Sequence, residues 1–178
     1  FSGTPISVIP IGTARNITLY AKWIYDFASM PYRDMVNVTG DVYIQEDPDD
    51  GEYFHHIISN FKIGKYEVTY ELWYIVYQWA LSHNYTFQNM GREGSDGAYG
   101  NAPTSDKYKP VTNINWRDAI VWCNAYSEMV GLDPVYTYMS APIRDSKDAN
   151  ATACDNVTSG WINNGYRLPT EGEWQFAA

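Results

Sequence analysis

The side chains able to act on a substrate or a metal are few and scattered. His55 and His56 titrate near neutral pH and have the chemistry of an acid, a base or a metal ligand. They are adjacent in a strand-like stretch, where neighbours point to opposite faces, so a shared metal site is not expected and a structural role is. Cys123 and Cys154 are too few for a disulfide framework and lack metal-ligand spacing. Asp47, Asp49 and Asp50 crowd a short loop from Glu46 to Gly51 that has the charge to hold calcium. It lacks the full ligand pattern of an EF-hand loop and reads as a solvated turn. Glu171 and Glu173 follow Thr170 and have a sufficient explanation as carboxylates at a helix start. None of these is assigned as a catalytic, cofactor-binding or metal residue.

The elements that position them follow from periodicity. Met35 to Ile44 alternates apolar and polar as one strand, and Ile57 to Ile63 reads as a second, with a turn at Gly64 and Lys65. Thr69 caps a helix running to about Ser82, with Val68 placed for a hydrophobic staple. Leu72, Val76 and Trp79 share its apolar face, with Ile75 and Ala80 beside them. His83 to Lys109 is rich in Gly, Asn, Ser and Asp and is predicted to be a long loop anchored by Phe87, Tyr99 and Tyr108. A short strand from Pro110 to Asn115 leads into a helix started by Asn115 and Asp118 and ended by Gly131. Trp116, Ala119, Ile120, Cys123 and Ser127 fall on its buried stripe. Leu132 to Asn164 is predicted to be loop, and Thr170 with Glu173 forms a capping box that opens the last helix.

Composition narrows the function classes. The chain has 178 residues, enough for one domain and an appendage; 45% are hydrophobic and 19% charged, which excludes general disorder. Twenty-one acidic against twelve basic residues give a net charge of -9, so a long phosphate backbone would be repelled and no nucleic-acid partner is expected. Sixteen Tyr and seven Trp suit wet, ligand-contacting surfaces as well as cores. No apolar run reaches the roughly twenty residues of a membrane span. Phe1 does not open a signal peptide, and the chain reads as cut from something longer.

Two stretches resemble known families. Ile9-Pro-Ile-Gly-Thr13 followed by Asn16-Ile-Thr-Leu-Tyr-Ala-Lys-Trp23 is similar to the closing strand of the internalin-type B repeat of bacterial surface proteins. Residues 1 to 23 are therefore expected to end such a repeat, with residues 24 to 34 as linker. From residue 35 to 178 the chain resembles the N-terminal part of the sulfatase-modifying-factor, or formylglycine-generating, family. The resemblance rests on Met35-Val-Asn-Val-Thr-Gly40, Phe61-Lys-Ile-Gly-Lys-Tyr-Glu-Val-Thr69, Pro110-Val-Thr-Asn-Ile-Asn-Trp-Arg-Asp-Ala119 leading into Cys123 and Asn124, and Asn164-Gly-Tyr-Arg-Leu-Pro-Thr-Glu-Gly-Glu-Trp174. Gly172, Gln175 and Phe176 depart from it, where Ala, Glu and Tyr are usual.

The resemblance implies an α+β, C-type-lectin-like fold with short strands, a few helices and long loops, incomplete at its C-terminus. It also implies, in catalytic members, copper-dependent oxidation of a sulfatase cysteine to formylglycine. The copper cysteines of those members lie downstream of Arg167 to Glu171, so this chain alone is expected to be inactive; copper and calcium belong to the full-length domain, and the enzymatic partner would be a sulfatase-type polypeptide. Cys123 matches a position that is disulfide-bonded in some members, while its own residue pattern favours a buried thiol. Cys154, in the variable loop, is open to exposure or to a bond with Cys123. Glu67 and Arg167 belong to the family motifs, and a buried pair or a bond to backbone is expected to hold the fold there. The alternative function is a non-catalytic module binding a protein or glycan ligand at a bacterial surface, which the B-repeat resemblance favours. Asn-x-Thr triplets at Asn16, Asn37, Asn84, Asn150 and Asn156 read as an Asn/Thr-rich surface in that setting. The last helix is expected to leave the stripe around Trp174 and Phe176 short of a burial partner, making the isolated chain less stable than a whole domain.

Overall fold

The computed structural model describes residues 34–178 apart from Pro48, Asp50 and Trp161. The B-repeat reading of residues 1–23, Asn16 included, and the linker reading up to residue 33 lie outside the described residues.

The first four strands form two short antiparallel ribbons in one interrupted hairpin rather than two long strands. β1 (Met35–Val38) pairs antiparallel with β4 (Phe61–Gly64), and β2 (Val42–Glu46) pairs antiparallel with β3 (Tyr53–Ile57). The single strand expected over 35–44 breaks at Gly40, and that expected over 57–63 breaks at Ile58–Asn60. Close approach of the two breaks explains both. A Cβ on Gly40 would lie 2.0 Å from the Ile58 carbonyl oxygen, so only glycine fits. The Gly40 amide donates to Asn60 Oδ1 (2.9 Å) and the Ile58 amide to the Asp41 carbonyl (3.0 Å), which satisfies the backbone where both ladders stop.

α1 (Tyr70–Leu81) and α2 (Trp116–Met129) form the core. Thr69 caps α1 by accepting from the Leu72 amide; Asn115 and Asp118 close a reciprocal capping box on α2, and Gly131 follows its end at φ 78°. The helices meet through the stacked indoles of Trp73 and Trp122, whose centroids are 5.5 Å apart, and Trp122 Nε1 donates to the Trp73 carbonyl. Tyr70, Leu72, Trp73, Ile75, Val76, Tyr77 and Ala80 of α1 are all buried, so the helix is enclosed on more than one side. Trp79 is only half-buried and stacks on His83 at 3.8 Å. Trp116, expected in the buried stripe of α2, is half exposed in the first turn of that helix.

The stretch 132–164, expected to be loop, carries regular structure. β7 (Tyr136–Tyr138) lies between β8 (Ala141–Pro142) and β9 (Thr158–Ser159), and α3 (Ala151–Asp155) precedes β9. Asn124, wholly buried on α2, holds this sheet: its Nδ2 donates to the carbonyls of Tyr136 and Ile143, and its Oδ1 accepts from the Tyr136 amide. The loop 83–109 also contains β5 (Arg92–Glu93), paired with β6 (Val111–Thr112). α4 (Glu171–Ala177) opens on the expected capping box of Thr170 and Glu173. No helix among the described residues is long and apolar enough to cross a membrane.

Candidate functional site

The side chains with reactive chemistry do not converge. His55 and His56 point to opposite faces of the β2–β3 ribbon, His55 outward and His56 onto Gln45 Oε1 (3.0 Å) and the Tyr43 ring. A Cβ on Gly172 would press on the His56 ring at 2.9 Å, which gives the family's usual Ala no room here. In the acidic turn, Asp47 Oδ1 accepts from the Asp49 amide and the Asp47 carbonyl from the Gly51 amide, so Asp47 serves to close the hairpin; Asp50 lies outside the described residues. Among the described residues no group of three or more His, Cys, Asp and Glu is placed to hold a metal ion.

Cys123 and Cys154 are both buried and unbonded, which removes the two readings of Cys154 as exposed or as the partner of Cys123. Burial pushes the Cys123 thiol up to about 12 and raises that of Cys154 as well. Copper is bound by thiolates, whereas both groups are enclosed and protonated at neutral pH, so they do not fit a copper pair. No chemical step is assigned to copper in this chain.

Arg167 finds a carboxylate, but not that of Glu67, which is exposed. Its partner is Glu173, through two parallel bonds of 2.6 and 2.7 Å, with a further bond from Arg167 to the Leu168 carbonyl. The Arg167 guanidinium holds the Glu173 carboxyl below the usual carboxylate range. The same carboxylate accepts from the Thr170 amide, so it serves the cap and the ion pair together. Glu171 is exposed at the first turn of α4. Trp174 is 61% exposed, as expected of the stripe on that helix, whereas Phe176 packs edge-on against Tyr43.

Two buried carboxylates that sequence reading passed over shape the loop 83–109. Asp118, which the sequence marked only as a capping residue, is fully buried. It accepts from the amides of Gln88, Asn89 and Asn115, from Asn89 Nδ2 and from the Ser146 hydroxyl. Glu93, buried further along, accepts from the amide and hydroxyl of Thr104. Between these anchors Gly91, at φ 79°, brings the backbone against the Trp73 indole, and Trp73 Nε1 donates to the Met90 carbonyl. Phe87 anchors the loop as expected. Tyr99 and Tyr108 do not: both are more than half exposed, beneath the cations of Arg92 and Lys107 respectively. The result is a pinned loop that leaves Met90, Tyr99 and Tyr108 exposed, and Trp116 at the start of α2 is half exposed as well. This is the candidate site, a contact surface without converging reactive groups. The described Asn-x-Thr asparagines, Asn37, Asn84, Asn150 and Asn156, are all exposed.

Short paired ribbons, two packed helices and long pinned loops define an α+β, C-type-lectin-like fold of the formylglycine-generating type. Residues 24–178 match the sulfatase-modifying factor enzyme 1-like domain, and the chain belongs to that family. It is 37% identical over 122 residues to the chaperone protein LppX of Paenibacillus barcinonensis, a match that covers 68% of this chain and 36% of that protein. The crystal structure of CarF superposes with a TM-score of 0.64 at 29% identity, over 82% of this chain and 55% of CarF. Variable protein 1 of Treponema denticola superposes at 0.61 and 26% identity, over 81% and 51%. The chain thus spans about a third of the curated relative and about half of each solved one.

Proposed function

We propose that this chain is the scaffold part of a sulfatase-modifying-factor-type domain used as a ligand-binding module, holding a protein or glycan outside a bacterium. The observation that carries the reading is the outward set of Met90, Tyr99 and Tyr108 on a loop fixed from below by Asp118 and Glu93, with Trp116 half exposed at the start of α2. Aromatic side chains on a fixed backbone supply contact area at low entropic loss. The names of two similar proteins agree with it: one is a chaperone protein and the other a variable protein. The surface location rests on the resemblance of residues 1–23 to a B repeat.

The test is binding of the chain to glycan and protein arrays, repeated with Tyr99→Ala and Trp116→Ala. Hits lost in both variants support the reading, and hits unaffected by either, or no hit on either array, sink it. Family membership favours a second reading, in which the whole protein oxidises a cysteine of a sulfatase-type polypeptide. Incubating the whole protein with copper, oxygen and a cysteine-containing sulfatase peptide, then probing for an aldehyde with a hydrazide, decides that case.

A further inference from the structure

The β2–β3 ribbon has an inner and an outer face, and the outer one is apolar. Cross-strand register places Val42 opposite Ile57, Ile44 opposite His55, and Glu46 opposite Tyr53, all on the same side. The inner face carries Tyr43, Gln45, Phe54 and His56 and is partly covered by α4, through Tyr43 to Gln175 and Phe176 and through His56 to Gly172, with Phe54 47% exposed. On the outer face Val42, Ile44, Tyr53 and Ile57 are 54, 52, 61 and 86% exposed. A solvated ribbon face normally carries the polar half of the alternation; here the outer side carries most of the apolar residues.

The ribbon and its turn carry charged residues of one sign. Residues 41–57 contain Asp41, Glu46, Asp47, Asp49, Asp50 and Glu52 and no Lys or Arg. An apolar strip with carboxylates along its flanks and tip complements a segment with apolar side chains on one side and cations on the other. A second copy of this chain brings the same acidic tip and a net charge of -9, so like charges oppose self-pairing.

We infer that the outer face of the β2–β3 ribbon is a docking surface for a cationic, amphipathic polypeptide segment in an extended conformation. The surface is separate from the loop 83–109 and stands whether or not that loop binds a ligand. Apolar contacts hold the segment, and the acidic rim sets its charge and speeds its approach.

The probe is a synthetic peptide of about ten residues, a typical long strand, alternating lysine and valine. Its binding to the chain is measured by fluorescence anisotropy at about 150 mM salt, where long-range attraction is screened. A lysine–serine peptide of equal charge serves as control. Ile44→Thr combined with Ile57→Thr removes apolar surface, leaves charge unchanged and keeps β-branched residues at two exposed positions. The expected result is binding of the lysine–valine peptide that weakens at least about tenfold in the double variant and at least about tenfold with the serine peptide. Equal binding by chain and variant, or equal binding of the two peptides, overturns the proposal. So does concentration-dependent self-association of the chain in sedimentation that the double variant abolishes, because a second copy is then the occupant.

Discussion

Replacing Arg167 by Met tests whether the ion pair at the start of α4 holds the last motif in place. The Glu173 carboxylate is 11% exposed and the Arg167 side chain 25%, with two bonds of 2.6 and 2.7 Å between them. Removing one partner of a fully buried pair costs about 3–5 kcal/mol, mostly through the charge left behind. Arg167 is partly wetted, and Glu173 keeps the Thr170 amide, so the expected loss is about 2–3 kcal/mol at neutral pH. Adding Glu173→Gln removes the orphan charge and should return the loss to about 1 kcal/mol. The pH dependence has a fixed sign. Arg167 lowers the folded Glu173 pKa below its ordinary 4.5, so the pair contributes stability above that pH and loses it as pH falls through the depressed value. Urea unfolding followed by tryptophan fluorescence at pH 7 and about pH 3 measures both effects. A loss under about 1 kcal/mol at pH 7, or one that does not shrink on acidification, refutes the reasoning.

Gly40→Ala should destabilise the junction of the two ribbons by about 2 kcal/mol or more, because its Cβ would meet the Ile58 carbonyl at 2.0 Å; a melting temperature unchanged from the parent chain would contradict this. Cys123 and Cys154 should resist a thiol reagent such as dithionitrobenzoate at pH 8 in the folded chain and react together on unfolding in guanidinium. Fast labelling of either thiol in the folded protein would show that its enclosure is wrong.

The features legible in the sequence are those whose cause is local. Thr69, Asn115 and Thr170 each cap a helix through the residue three positions on, and all three helix starts stand where the sequence places them. The break in the strands at Gly40 is not legible, since its cause is a carbonyl eighteen residues along the chain that meets it only once the hairpin has paired. Asn124 falls within a recognised motif, yet its partners at Tyr136 and Ile143 turn an apparent loop into a sheet, and nothing in the local pattern of 132–164 announces them. The expected bond from Arg167 to backbone is present, at the Leu168 carbonyl, whereas its carboxylate partner is Glu173, which the sequence explains as a cap; one carboxylate fills both roles. Asp118 follows the same rule, because the short-range cap is visible and the bonds to Gln88, Asn89 and Ser146 are not.

Fastening the loop at Asp118 and again at Glu93 has a consequence for exchange of its outer residues. The fixings draw on backbone amides, on Asn89 and on Thr104, whereas the exposed side chains of Met90, Tyr99 and Tyr108 take no part in those two fixings. Recognition and support are therefore written in different residues. The chain can serve as a graft-ready platform, on which the outward positions are randomised to seek new ligands while the frame beneath them is inherited unchanged.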